Sequence, residues 1–198
     1  MRGAYDVYPV AINSGGDVTG YADMRRGSFP GFLRSSAGTV VTFDIEKGGG
    51  TQPSAVNDAD TVAGIIFDPE GNAHGFVREP DGATTLFDVP HGTGTNPIAI
   101  NASGTIAGSY INRNGWSRAF IRTGDGSIVK FRPPGRAKGY GGAAINDAGM
   151  IAGSCRGGDN ALHDFLRAAD GTFTVLDVPG TARSQGDIPM RRQISTAT

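Results

Sequence analysis

One phrase is written four times in this chain, at nearly equal intervals. It reads AINSGGDVTGYA from Ala11, AVNDADTVAGII from Ala55, AINASGTIAGSY from Ala99 and AINDAGMIAGSC from Ala144. The steps between the alanines are 44, 44 and 45 residues. A glycine follows each alanine by nine residues (Gly20, Gly64, Gly108, Gly153), and a phenylalanine comes twelve further on (Phe32, Phe76, Phe120, Phe165). An arginine stands two beyond that: Arg34, Arg78, Arg122 and Arg167. Eleven residues after each phenylalanine is another large apolar residue, Phe43, Phe87, Phe131 or Leu176. From the alanine to this residue the distance is 32 in every unit, and the one extra residue falls in the connector between Phe131 and Ala144. Blocks of fixed length, with insertions confined to connectors, are what stacked structural units produce.

Each unit has room for four short strands. In the third they are expected near Pro97–Ile100, Thr105–Ile111, Ser117–Thr123 and Ser127–Arg132, separated by the turn sequences NASG, NRNG and GDG. The runs GFVR and AFIR are apolar at consecutive positions, as in a strand covered on both faces. Helix is disfavoured, because no long run keeps a 3.6-residue period free of Gly, Pro or β-branched interruptions. A period near 44 with four strands per unit is the pattern of a propeller blade. The expected fold is therefore all-β: a β-propeller or propeller-like ring of about four four-stranded blades, incomplete or closed by the termini. A β-solenoid or a stack of β-meanders is the alternative, weakened because solenoid coils are usually shorter. The repeats make residues 1–180 one domain, with units 11–54, 55–98, 99–143 and 144–180. Residues 181–198 read as an irregular tail or a truncated fifth unit, because Arg191, Arg192 and Gln193 stand where Ala-Ile-Asn is due.

Composition agrees with short strands and turns: 32 of the 198 residues are Gly and 11 are Pro. With 18 basic against 19 acidic residues there is no electrostatic footprint for nucleic acid. No apolar run is long enough to span a membrane, and the N-terminal MRGAYDVYPV has no secretory h-region. Cys155 is the single cysteine, so no intrachain disulfide forms.

The spaced motifs AIN..G.IAG, H.F.R..DGT and LDVPG, over residues 11–180, resemble the bacterial extracellular repeat family called HAF. The tripeptide positions read PGF (30–32), HGF (74–76), RAF (118–120) and HDF (163–165), none of them His-Ala-Phe. The resemblance implies a secreted or cell-surface, repetitive, propeller-like protein without shared catalytic machinery.

The residues that carry chemistry each have a plainer role beside the functional one. Asn13, Asn57, Asn101 and Asn146 recur in the phrase, and symmetry places them on one ring. Facing the axis, their amide oxygens would ligate Ca²⁺ with help from Asp58, Asp60 or Asp147. The plainer role is turn initiation, and it is preferred. His74 and His163 are equivalent positions and the candidate catalytic bases, against a hydrogen-bonding role at the blade edge. No local carboxylate–His spacing supports zinc. Cys155 aligns with Ala22, Ile66 and Tyr110 and reads as core. GSCRG is no nucleophile elbow, and neither GTGTNP nor GDGSIV is a dinucleotide loop. The pairs Arg34/Asp44, Arg78/Asp88 and Arg167/Asp177 are expected to join within blades; Arg132 replaces the aspartate in the third unit, either as an anion contact or, the preferred reading, as a surface substitution. Asn101-Ala102-Ser103 is a formal glycosylation sequon inside a predicted turn.

Two classes of function follow. The preferred one is a noncatalytic, secreted or surface-associated module that binds a protein, glycan or small molecule through blade loops. The other is a small cation-dependent hydrolase of esters or lactones with its site at the axis, a reading that rests on fold analogy. Open blade edges would favour a homo-oligomer.

Overall fold

The computed structural model describes residues 4–24, 28–46, 49–133, 139–156 and 162–176; the expected tail and Asp177 lie outside them. Within them the chain forms four antiparallel sheets of four strands, each a simple meander. The first is β1 (Ala4–Ile12), β2 (Val18–Met24), β3 (Gly31–Arg34) and β4 (Val40–Phe43). The second is β5 (Gly50–Val56), β6 (Val62–Phe67), β7 (Ala73–Arg78) and β8 (Thr84–Phe87). The third is β9 (Gly92–Ile100), β10 (Ile106–Asn112), β11 (Ser117–Arg122) and β12 (Ile128–Phe131). The fourth is β13 (Gly139–Ile145), β14 (Ile151–Arg156), β15 (Leu162–Arg167) and β16 (Phe173–Leu176). No helix occurs among the described residues.

The first strand of the third unit is longer than expected, beginning at Gly92 rather than Pro97. Glycine and proline read as breakers, but here the ladder absorbs Pro97 at a register shift. The same irregularity follows Pro9 and Pro53. Blades therefore begin before the repeated phrase, which spans the junction of first and second strands.

The glycine of the phrase lies opposite the phenylalanine on the neighbouring strand: Gly20 faces Phe32, Gly64 faces Phe76, Gly108 faces Phe120 and Gly153 faces Phe165. At Gly64 a Cβ would stand 2.4 Å from the Gln52 carbonyl oxygen and 2.7 Å from the Phe76 ring. The missing side chain lets the bulged first strand and the ring share one space. Gly64→Ala is accordingly expected to cost about 1–3 kcal/mol, the usual penalty of overpacking a filled core, read as a lower urea midpoint.

Sheets stack face to face, and the core lies between them. Ala11, Leu33, Phe43 and Ile45 of blade 1 meet Val56, Val62, Ile66 and Phe76 of blade 2. Blades 2 and 3 join through Ala63, Val77 and Val89 against Ile106, Tyr110 and Phe120. Blades 3 and 4 join through Ala107, Ile121 and Phe131 against Ile151, Cys155 and Phe165. At each seam the phenylalanine of the later blade meets the ring of the earlier one edge-on: Phe43–Phe76, Phe87–Phe120 and Phe131–Phe165, at centroid distances of 6.1–6.4 Å. The buried runs Gly75–Arg78 and Ala119–Arg122 have this cover on both faces. Among the described residues, no core cluster joins blade 4 to blade 1.

Arg34 and Arg78 do not pair with the aspartates ten residues on. In the β3–β4 hairpin Arg34 lies opposite Val40 at one end, whereas Phe43, beside Asp44, lies opposite Gly31 at the other. The same register separates Arg78 from Asp88. The arginines of blades 2, 3 and 4 instead lie over the ring of the preceding blade: Arg78 over Phe43 at 4.8 Å, Arg122 over Phe87 at 4.9 Å and Arg167 over Phe131 at 5.1 Å. The arginine Nη1 donates to the next residue's carbonyl, at 3.3 Å from Arg78 to Glu79 and 3.1 Å from Arg167 to Ala168. The partner of the Arg167/Asp177 pair lies outside the described residues.

Candidate functional site

The asparagines and the histidines lie at opposite rims of the blades. The asparagines start the turns between first and second strands. The turn is closed by its backbone, for example Gly104 N to the Asn101 carbonyl at 3.0 Å. The side-chain Oδ1 accepts the backbone N–H four residues on: Asp17 to Asn13 at 2.8 Å, Thr61 to Asn57 at 3.0 Å, Thr105 to Asn101 at 2.9 Å and Met150 to Asn146 at 2.9 Å. This is the expected turn role.

The amide nitrogen does something that the turn reading does not include. Asn13 Nδ2 donates to the Asn57 carbonyl, Asn57 Nδ2 to the Asn101 carbonyl and Asn101 Nδ2 to the Asn146 carbonyl, each at 3.1 Å. One side chain thus caps its own turn and ties its blade to the next. Asn57 and Asn101 are buried by this arrangement. A cation at the ring would draw on the same Oδ1 atoms that hold the turns. Asn101 of the sequon is engaged at both ends of its amide.

At the other rim, His74, the second residue of β7, lies between two carboxylates. Its Nδ1 is 2.9 Å from Asp88 and its Nε2 is 3.3 Å from Asp68. Asp68 follows β6 and also accepts the backbone and side-chain amides of Asn72, both at 2.7 Å. Asp88 follows β8 and accepts the Thr95 hydroxyl at 3.2 Å. The hydrogen bond that the ring donates to Asp88 raises the imidazole pKa above its ordinary range, against a smaller opposing effect of burial. The Asn72 amide holds Asp68 below the usual carboxylate range. With both ring nitrogens engaged, His74 would have to release a carboxylate before it could take a proton from a substrate. Sequence spacing hides this cluster because Asp88 is fourteen residues away. The ladder supplies it: Gly75 pairs with Phe87, so residue 74 meets residue 88.

A raised histidine pKa stabilises the fold fully below about 6.5, and that contribution is lost as pH rises through the folded-state value. The melting advantage of the wild type over His74→Gln should thus be greatest near pH 6 and shrink at higher pH. The cluster is partly exposed, so the difference is at most about 1 kcal/mol. An advantage that grows with pH would contradict the imidazolium clamp.

His163 occupies the same slot in blade 4, opposite Cys155 on β14. The positions matching Asp68 and Asp88 fall at 157 and 177, outside the described residues. Cys155 is buried against Ala119 and Phe165, and burial pushes its thiol pKa up, as a core residue requires.

Blade 3 fills the same rim with different chemistry. Where blade 2 has Asp68, His74 and Asp88, blade 3 has Asn112, Arg118 and Arg132. Tyr110 is the cross-strand partner of Arg118. Its burial raises the phenol pKa, while Arg118 and Arg132 pull the other way. In the adjoining turn Trp116 is exposed, and Arg113 Nη2 stands 3.1 Å from His91 Nδ1. His91 holds a left-handed backbone, at φ 62°. Trp116 and Arg113 lie outside what repeat comparison brings forward, because both sit in the variable β10–β11 turn.

Four-stranded antiparallel meanders stacked face to face are the blades of a β-propeller, and four of them are present here. Solved structures agree. The chain is similar to TolB from Acinetobacter baumannii at 14% identity and a TM-score of 0.65, covering 86% of this chain and 43% of that one. A protein assigned as TolB from Agrobacterium tumefaciens gives 14% identity and 0.64, over 87% and 65% of the two chains. A puromycin-hydrolysing peptidase of Mycobacterium tuberculosis gives 13% and 0.64, over 87% and 29%. At such identities the likeness shows the fold alone, and this chain spans less than two thirds of each of these proteins. No protein-family model matches the chain, and no curated protein matches its sequence. No helix among the described residues is long and apolar enough to cross a membrane.

Proposed function

We propose that this chain is a noncatalytic propeller module that binds a protein, glycan or small-molecule ligand through the loops at the histidine rim of blades 2 and 3. The observation that carries this reading is a contrast between the two rims. The asparagine rim repeats the same bonds blade after blade, and its polar atoms are spent on turns and seams. The opposite rim changes from Asp68, His74 and Asp88 to Asn112, Arg118 and Arg132 in one blade step. Trp116 and Arg113 stand beside this change, and both are residue types that anchor interfaces. The resemblance to the HAF repeat family supports a secreted or cell-surface setting.

The test has two arms. The purified chain is assayed on short acyl esters and lactones, with and without Ca²⁺, and is applied to glycan and peptide arrays. No turnover above a protein-free control is expected, with retention on a subset of array features that Trp116→Ala reduces at least tenfold. Ca²⁺-dependent turnover that is lost in His74→Gln would replace this reading with a hydrolase.

A further inference from the structure

We propose that the open face of blade 1 docks on the open face of blade 4 of a second copy of this chain, continuing the blade series from one molecule into the next. The three internal seams share one set of contacts, and each contact has a direction. The earlier blade donates an asparagine Nδ2 to the carbonyl of the later asparagine. The earlier blade offers an aromatic ring, and the later blade lays an arginine over it.

The two ends of the series carry the unused halves of this set. On blade 4, Asn146 is exposed, and its Nδ2 has no bond among the described residues, unlike those of Asn13, Asn57 and Asn101. Leu176 occupies the ring position and is 39% exposed. On blade 1, Arg34 is exposed, and among the described residues its guanidinium lies over no ring, whereas Arg78 and Arg122 are buried at 9%. Ile12 occupies the place of Val56, yet it is 67% exposed against 8%. Among the described residues the Asn13 carbonyl receives only its own turn's Gly16 N–H, whereas the Asn57 carbonyl also receives the preceding asparagine. Strand β1 exposes Tyr5, Val7, Tyr8 and Val10 as well, an apolar surface concentrated on one element.

Donor thus meets acceptor, and the Arg34 stem meets Leu176, when blade 4 of one copy precedes blade 1 of another. The fit is heterologous: blade 1 does not complement blade 1, and blade 4 does not complement blade 4. Two copies of four blades give eight, within the range of about 4–8 blades that propellers adopt, and closing the ring buries both open faces of both copies. The open surface is the flat side of a blade, which distinguishes this contact from pairing at a strand edge.

Light scattering coupled to size exclusion measures the mass across micromolar concentrations. A mass twice that of the 20.4 kDa chain is expected. Ile12→Asp disables the blade 1 face, and Leu176→Asp disables the blade 4 face. Each variant alone should run as a monomer, with an unchanged far-ultraviolet circular dichroism spectrum to show that it has folded. Mixed in equal amounts, the two should form a heterodimer, because one intact seam remains. A monomeric wild type overturns the proposal. So does a dimer that persists in either variant alone, which would mean an isologous contact. Folded monomeric variants that fail to combine on mixing overturn it too.

Discussion

Truncating Phe76 to alanine is expected to lower stability by about 3–5 kcal/mol, a large share of the roughly 5–15 kcal/mol that holds a typical domain. The ring is fully buried, lies against Gly64 and meets Phe43 of the preceding blade edge-on. Removing it loses the transfer free energy of the ring and leaves a cavity between two sheets. That cavity cannot close cheaply, because the bulged strand β5 already rests against the glycine. The measurement is a urea titration monitored by circular dichroism. Phe43→Ala should cost less, since Phe43 is only partly buried at the same seam. A loss below about 1 kcal/mol for Phe76→Ala would mean that the seam is not a packed core.

The second large effect is at Asn57. Its Oδ1 accepts the amides of Ala59 and Thr61, and its Nδ2 reaches the Asn101 carbonyl. Asn57→Ala leaves the N–H of buried Thr61 and that of the more exposed Ala59 without their acceptor and removes the tie to blade 3. At about 1 kcal/mol for each bond lost, with a further penalty for stranded donors, the expected cost is about 2–4 kcal/mol. Asn146→Ala removes the equivalent Oδ1 contact at an exposed position, where water replaces it, and should cost about 1 kcal/mol or less. Asn57→Asp separates the two roles: the turn keeps its acceptor, while the donor to blade 3 is replaced by a carboxylate facing a carbonyl. Equal losses for Asn57→Ala and Asn146→Ala, followed by urea titration, would show that the amide serves only its own turn.

Much of the fold is legible along the chain because the blade is a local object. A strand, a turn and a returning strand are neighbours in sequence, and their signals are the period of the apolar residues and the Asn and Gly of the turns. The candidate site is less legible. The clamp on His74 follows from hairpin register, which places it beside Asp88 and keeps Arg78 away from the same residue. That register could have been counted outwards from the glycine turns. The opposite expectation for Arg78 and Asp88 came from spacing read without it. Trp116 and Arg113 gave no repeat signal, since they lie in a turn whose sequence differs from unit to unit.

The amino-acid sequence by itself determined the unit: its length, its four strands, its turns, and which phenylalanine fills it. Only the tertiary structure decided how units speak to one another. The asparagine Nδ2 and the arginine guanidinium each find partners one blade away, 44 or 45 residues distant for the asparagines. Which neighbour they meet depends on the direction in which one sheet is laid on the next. A repeat is the same whichever way it is stacked, so its period says that sheets must cover each other and leaves their polarity to the packing.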